Sequence, residues 1–295
     1  MDQPANRAVV ITGASTGIGA ACALALAREG WRVYAGVRRP EDGERLRQAA
    51  GPAAAALVPL VLDVTDEPGI AAAAGEVARA EGERGLAGLV NNAGIAVGGP
   101  LEFLPVDVLR RQFEINVIGQ IAVTQAFLPL LRRAPGRIVN MSSISGRMTV
   151  PFMGPYSASK FALEALSDAL RVELRPWGLH VAVIEPGRIA TPIWEKSLAA
   201  HEELLRRLPA ATDQLYGPAI AGLLAHVREI QHDAAPVELV VAAVRHALSA
   251  RRPRQRYPVG RGAWLARLFN ALPGGLRDEI IARRLPRYPD ETRPG

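Results

Sequence analysis

The chain has a single cysteine, Cys22, which excludes an internal disulfide and any metal cluster built on cysteines. Its histidines, among them His201, His226 and His232, are scattered, and no carboxylate joins them at ligand spacing, so no metal site is expected. The opening Met1-Asp2-Gln3-Pro4-Ala5-Asn6-Arg7 has no apolar signal region, and no later run is expected to reach membrane-spanning length. There is no short repeat and no obvious linker. These absences point to a cytoplasmic location with no integral membrane segment. The formal charge of +6 comes mainly from arginine. No nucleic-acid motif accompanies it, so the charge is assigned to an anionic small molecule, and nucleic acid is not an expected partner.

Hydrophobic residues make up 49% of the 295 residues and are spread along the whole length, enough for a substantial core. Apolar runs at Arg7–Thr12, Trp31–Val37, Ala53–Val61, Ala87–Asn91, Arg137–Met141 and His180–Glu185 read as strands. Helical patterns separate them, including Ala20 to Arg28, Glu67 to Glu81 and Leu109 to Leu131. This alternation predicts an α/β fold, a doubly wound parallel sheet of about seven strands with Arg256–Gly260 as the last. One domain is expected over 1–295, with a core at 7–191. Residues 192–295 would form a helical region ending in a basic, amphipathic stretch, Trp264 to Leu285, that packs on the body, covers a substrate mouth or touches a membrane surface.

The first strand runs into Gly13-Ala14-Ser15-Thr16-Gly17-Ile18-Gly19 and then a helix. A glycine turn at a helix N-terminus lets an anion such as a pyrophosphate approach backbone N–H groups. The same residues contain Gly-x-Ser-x-Gly, the nucleophile elbow of α/β hydrolases with Ser15 as nucleophile, a rival that residues elsewhere must decide. The second strand ends at Arg38 and Arg39, with no acidic residue before Glu41. That end lies beside the adenosine ribose in dinucleotide folds, where an arginine accepts a 2′-phosphate. NADP(H) is therefore favoured, with NAD(H) as the alternative.

Asp63 follows an apolar run and should sit at a strand's C-terminal end, where ligands bind. Asn91 and Asn92 close the fourth strand, and can tie loops together or bond a cofactor. Asn116 stands among Phe113, Ile115, Val117 and Ile118, where a buried amide needs partners. Tyr156 and Lys160, four residues apart, share a helix face. An ammonium beside a phenol favours the phenolate, so the pair suits acid–base work on an alcohol/ketone couple.

Taken together and in this order, these motifs resemble the short-chain dehydrogenase/reductase family from Arg7 to about Thr191. They are Thr12-Gly13-x-x-x-Gly17-x-Gly19, Asp63-Val64-Thr65, Asn91-Asn92-Ala93-Gly94, Asn116, Ser143, Tyr156-x-x-x-Lys160 and Pro186-Gly187 with Thr191. The stretches Tyr34–Arg38 and Phe161–Arg171 look most like its retinol, hydroxysteroid and 3-hydroxybutyrate dehydrogenase group. The resemblance implies hydride transfer between a nicotinamide cofactor and a ketone or secondary alcohol. Tyr156 would be the acid–base, Ser143 would orient the oxygen, Lys160 would lower the Tyr156 pKa and bond the nicotinamide ribose, and Asn116 would link Lys160 to solvent. Implied cofactor contacts are Gly13, Ser15, Thr16, Gly17, Ile18, Gly19, Arg38, Asp63, Val64, Asn92, Ala93, Gly94, Tyr156, Lys160, Pro186, Gly187, Ile189 and Thr191. Phe152 and Trp194 would flank an apolar substrate beside Ser143 and Tyr156. Assembly as a homodimer or homotetramer through the Tyr156 helix and the preceding one is implied too. A non-catalytic NADP(H) sensor is the competing class, although such relatives typically lose the tyrosine or lysine.

Overall fold

The computed structural model describes residues 7–191, 202–232, 234–260 and 262–283. The strands β1 (Ala8–Ile11), β2 (Arg32–Val37), β3 (Leu57–Val61), β4 (Gly88–Asn91), β5 (Arg137–Met141), β6 (His180–Pro186) and β7 (Arg256–Val259) form one sheet in the order β3-β2-β1-β4-β5-β6-β7. Every pairing is parallel. The order reverses between β1 and β4, which opens a crevice at the strands' C-terminal ends.

The pleat sends alternate residues to opposite faces. Val9 and Ile11 of β1 join one apolar cluster with helices α1 (Gly17–Arg28) and α2 (Pro40–Ala49), while Ala8 and Val10 join another with α3 (Glu67–Glu81). Strands buried on both faces need near-continuous apolar runs, the pattern seen in the sequence. After β4 come α4 (Val106–Phe113), a π-helical turn at Glu114–Ile118 and α5 (Gly119–Arg133). The fold continues with α6 (Gly154–Glu173), α7 (Ala210–His232), α8 (Glu238–Ser249), α9 (Ala263–Asn270) and α10 (Gly274–Ala282).

Several expectations are corrected. Residues Gly51–Ala56 wind as a 3₁₀ turn, so β3 begins only at Leu57. The described part of the stretch Trp264 to Leu285 is two short helices, with Pro273 at the N-cap of the second, and Leu285 lies outside the described residues. Val106–Arg133 does reach spanning length, with a mean hydropathy of 1.3 over 18 residues, but half of that window is buried inside the protein. Val123, Phe127 and Leu131 of α5 are fully buried and form its sheet-facing stripe. Burying each such side chain stabilises the fold by roughly 1.5–3 kcal/mol, so this is a core helix.

Candidate active site

The glycine turn between β1 and α1 is built for close approach. A Cβ on Gly19 would lie 2.3 Å from the Gly13 carbonyl oxygen and 2.5 Å from Asn92 Nδ2. Gly13 has φ +63°, and a Cβ there would lie 2.8 Å from Ala93 Cα. Only glycine fits either place. Thr12 Oγ1 accepts from the backbone N–H groups of Asn92 (2.9 Å) and Ala93 (3.0 Å). Asn92 Nδ2 donates to the carbonyls of Thr12 (2.9 Å) and Gly13 (3.1 Å). Asn92 is thus the tie between the two loops. Asn91 is buried and bonds Thr124 (2.8 Å) and Asn140 (2.9 Å) instead.

At the end of β2, Arg39 pairs with Asp42 at 3.2 Å. Arg38 is exposed, and among the described residues its guanidinium has no hydrogen bond or ion pair. Asp63 Oδ1 accepts from the Thr65 N–H (3.0 Å) and hydroxyl (2.8 Å), which shapes the turn after β3. On the far side of the crevice, Gly187 N–H donates to Val259 O at 2.8 Å and Ala190 N–H to Ala235 O at 2.9 Å. Ile189 is buried and bridges to Ala235. The Pro186–Thr191 segment is therefore strapped in place. Trp194 and His201 lie outside the described residues, as do the side chains of His226 and His232.

The glycine cradle, the unpaired cation at the end of β2 and the strapped 186–191 loop line the crevice where the strand order reverses. A dinucleotide with a close-lying pyrophosphate fits this arrangement.

The acid–base residues come from two elements. Ser143 follows β5, and its Oγ accepts from the Ser145 N–H at 3.1 Å. Tyr156 and Lys160 lie on the first turns of α6. Burial pushes the Tyr156 phenol above its usual range, and a hydrogen bond with Ser143 opposes the rise. Burial lowers Lys160 from 10.5 to about 8, against the field of Glu164. Lys160 Nζ donates to Met141 O at 2.7 Å and sits 5.8 Å from the centre of the Tyr156 ring. In this arrangement the Met141 carbonyl holds the ammonium, and burial is the largest influence on the Tyr156 phenol.

Asn116 is fully buried in the π turn. Its Oδ1 accepts from the Ile95 N–H (2.9 Å), and its Nδ2 donates to Ile95 O (2.9 Å) and Ser159 Oγ (3.1 Å). Ser159 Oγ in turn donates to Tyr156 O at 2.7 Å, so Asn116 couples the 95 loop to the Tyr156 turn. The sequence reading passed over two further amides on this helix. Gln112 accepts from the Val97 N–H (2.8 Å) and donates to Ile95 O (2.9 Å). Gln120 bonds Ala93 O. Gln112, Asn116 and Gln120 recur every fourth residue, a signal that was there to be found.

Phe152, the substrate candidate, has φ +66° and is buried. Its carbonyl accepts from the Gly99 N–H at 2.7 Å. Its ring packs edge-on to Tyr216 of α7 at 6.0 Å, and Tyr216 meets Phe103 likewise at 6.0 Å. Tyr216 OH also donates to Glu102 at 2.6 Å. With Ala219, Ile220, Leu205, Leu223 and Leu224, the rings of Phe152 and Tyr216 form an apolar cluster, and Phe152 lies just before the start of α6.

Residues 7–202 match the family model for short chain dehydrogenase. The chain is 40% identical to retinol dehydrogenase 5 of Mus musculus over 96% of its own length and 91% of that protein. It is 35% identical to the NADPH-dependent 3-dehydrocapnine reductase of Ornithobacterium rhinotracheale, covering 97% of this chain and 100% of that one. Among solved structures, a short chain dehydrogenase from Burkholderia cenocepacia in complex with NADP superposes with a TM-score of 0.69 at 28% identity, over 96% of this chain and 98% of that chain. With the complete Asn116, Ser143, Tyr156 and Lys160 set in the crevice of a doubly wound sheet, the chain belongs to the short-chain dehydrogenase/reductase family, as an oxidoreductase of CH–OH groups in the group of retinol, 17-beta-hydroxysteroid and D-beta-hydroxybutyrate dehydrogenases.

Proposed function

We propose that the enzyme interconverts apolar ketones and secondary alcohols with NADP(H). The observation that carries the cofactor choice is Arg38, an exposed guanidinium without a partner among the described residues where the 2′-phosphate would lie, while its neighbour Arg39 is engaged by Asp42. The apolar substrate class draws support from the cluster of Phe152, Tyr216, Ala219 and Ile220, with Phe152 just before the start of α6. The names of the relatives, a retinol dehydrogenase and an NADPH-dependent reductase, agree with both.

Bound along Gly13–Gly19, Arg38, Asp63, Asn92–Gly94 and Pro186–Thr191, the cofactor supplies the hydride. The chain's own residues place the substrate and move its proton. Tyr156 keeps its proton at neutral pH because its surroundings disfavour the phenolate, and it donates that proton to the carbonyl oxygen in reduction. Ser143 bonds the same oxygen and orients it. Lys160 is mostly an ammonium at pH 7, since its pKa is about 8. It offers that charge to the Tyr156 phenolate as the proton leaves. Asn116 holds the 95 loop and the Tyr156 turn in register.

The reading extends to assembly. Phe161, Leu166 and Val172 expose apolar side chains along α6, which supports a homodimer or homotetramer through α5 and α6. A monomer by light scattering would oppose it. The cofactor reading is tested by fluorescence titration with NADPH and NADH. NADPH is expected to bind roughly tenfold tighter, about 1.4 kcal/mol, and Arg38→Ala to remove the difference. Equal affinities in the wild type would overturn the assignment.

A further inference from the structure

An ion network with two buried carboxylates, Glu164 and Glu185, lies beneath the catalytic helix. Glu164, one turn beyond Lys160 on α6, is 4% exposed. Arg147, which follows the Ser143 turn, donates from Nη2 to Glu164 at 3.0 Å and from Nε to Glu185 at 2.9 Å. Arg256 of β7 donates from Nε to Glu164 at 3.2 Å and from Nη2 to both Asp168 oxygens at 2.6 and 2.7 Å. Its Nε also lies 3.5 Å from Glu185 Oε1. A Cβ on Gly146 would lie 2.7 Å from Ser142 Oγ, 3.1 Å from Glu164 Cγ and 3.2 Å from Lys160 O. The turn after Ser143 therefore packs directly on α6 between Lys160 and Glu164.

The network joins the elements that carry the site: the Ser143 turn, the Tyr156–Lys160 helix and the strand ending at Pro186. Stability does not require it. A buried ion pair replaced by packed apolar residues is often neutral or stabilising. What an apolar substitute would not provide is a fixed negative charge one turn from Lys160.

We propose that Glu164 is a positioning residue of the reaction: clamped by Arg147 and Arg256, its carboxylate keeps the buried Lys160 charged beside Tyr156. The proposal rests on Lys160 serving the oxidoreductase reaction. Burial alone drives Lys160 toward the neutral amine, and Glu164 is the group whose charge opposes it. Glu164 is itself raised to about 7 by burial, with Ser142 and Arg147 holding it down and Glu185 and Asp168 pushing it up. The groups facing the pair are thus Tyr156 and Asp168 on α6, Ser142 and Arg147 after β5, Glu185 on β6 and Arg256 on β7. Above about pH 7 the carboxylate forms and supports the ammonium.

The chain has only two lysines, Lys160 and Lys196, so isotopic lysine labelling gives two resolvable side-chain NMR signals. A Lys196→Arg variant assigns them. In Glu164→Gln the Lys160 midpoint is expected to fall by about one pH unit from its wild-type position, whereas Glu164→Asp retains it. Reductase turnover in Glu164→Gln should drop about fivefold near pH 8 and hardly change at about pH 6. An unmoved midpoint in the folded variant overturns the proposal. If Glu164→Gln does not fold, the wild type decides: the Lys160 signal should show a second inflection near pH 7 as Glu164 titrates. A single smooth curve overturns it. The titration uses neither cofactor nor substrate, so failure of the NADP(H) reading leaves its outcome intact.

Discussion

Replacing Gly19 by alanine tests whether the glycine turn is a cofactor cradle held by backbone contact. The new methyl would sit 2.3 Å from the Gly13 carbonyl oxygen, and both the carbonyl and Asn92 must retreat. Reaching an ordinary contact of 3.4 Å from 2.3 Å takes about 1.1 Å of backbone movement. That movement weakens the two hydrogen bonds from Asn92 Nδ2 to Thr12 and Gly13, each worth about 1 kcal/mol. Overpacking adds about 1–3 kcal/mol. A loss of roughly 3 kcal/mol in a chain of 295 residues lowers Tm by about 5 °C. NADPH affinity should fall at least about tenfold, because the backbone N–H groups that meet the pyrophosphate move with the turn. Gly178→Ala is the control, since Gly178 is left-handed at φ +70° but has open space around its Cβ position. It should lose about 1–2 kcal/mol from backbone strain alone and bind NADPH like the wild type. Calorimetry and fluorescence titration read both quantities. Wild-type affinity in Gly19→Ala, with Tm within about 1 °C, would refute the cradle.

Other consequences follow from the buried groups. Reductase activity should decline on a basic limb centred near pH 8, where Lys160 loses its proton; a rate flat to about pH 10 would contradict its role. The same depression bears on stability. Lys160 has a lower pKa folded than unfolded, so its destabilising contribution is present below about pH 8 and disappears as pH rises toward 10.5. Lys160→Met should therefore gain on the wild type at pH 7, by up to about 3 kcal/mol, and the gap should narrow with rising pH in denaturant titrations. Asn116→Ala strands the Ile95 N–H, while the Ile95 carbonyl keeps its bond from Gln112, and about 2 kcal/mol of stability should go with it, along with much of the activity.

The parallel sheet was legible because strands buried on both faces need unbroken apolar runs, and Val9 to Ile11 or Val181 to Ile184 leave little choice. Helix α3 was found with its bounds intact at Glu67–Glu81. The π turn was not legible, because a one-residue insertion barely disturbs the helical period. The odd asparagine within it was the trace it left. The 3₁₀ turn at Gly51–Ala56 hid because alanine suits either local structure. The tetrad and the glycine turn stood out as local spacings. The Arg147–Glu164–Glu185–Arg256 network did not, since bonded partners within it lie as much as 92 residues apart along the chain. Each alone reads as a surface charge, and only the fold brings them together.

The central claim is that Tyr156 gives its proton to a carbonyl oxygen while NADPH reduces the carbon. Its most direct test is NADPH consumption by the wild type and Tyr156→Phe against a panel of apolar ketones, with cofactor binding measured alongside. Turnover by the wild type, a loss of about 10²–10⁴-fold in Tyr156→Phe and unchanged NADPH affinity are the predicted result. A Tyr156→Phe variant that turns over at the wild-type rate would contradict the account.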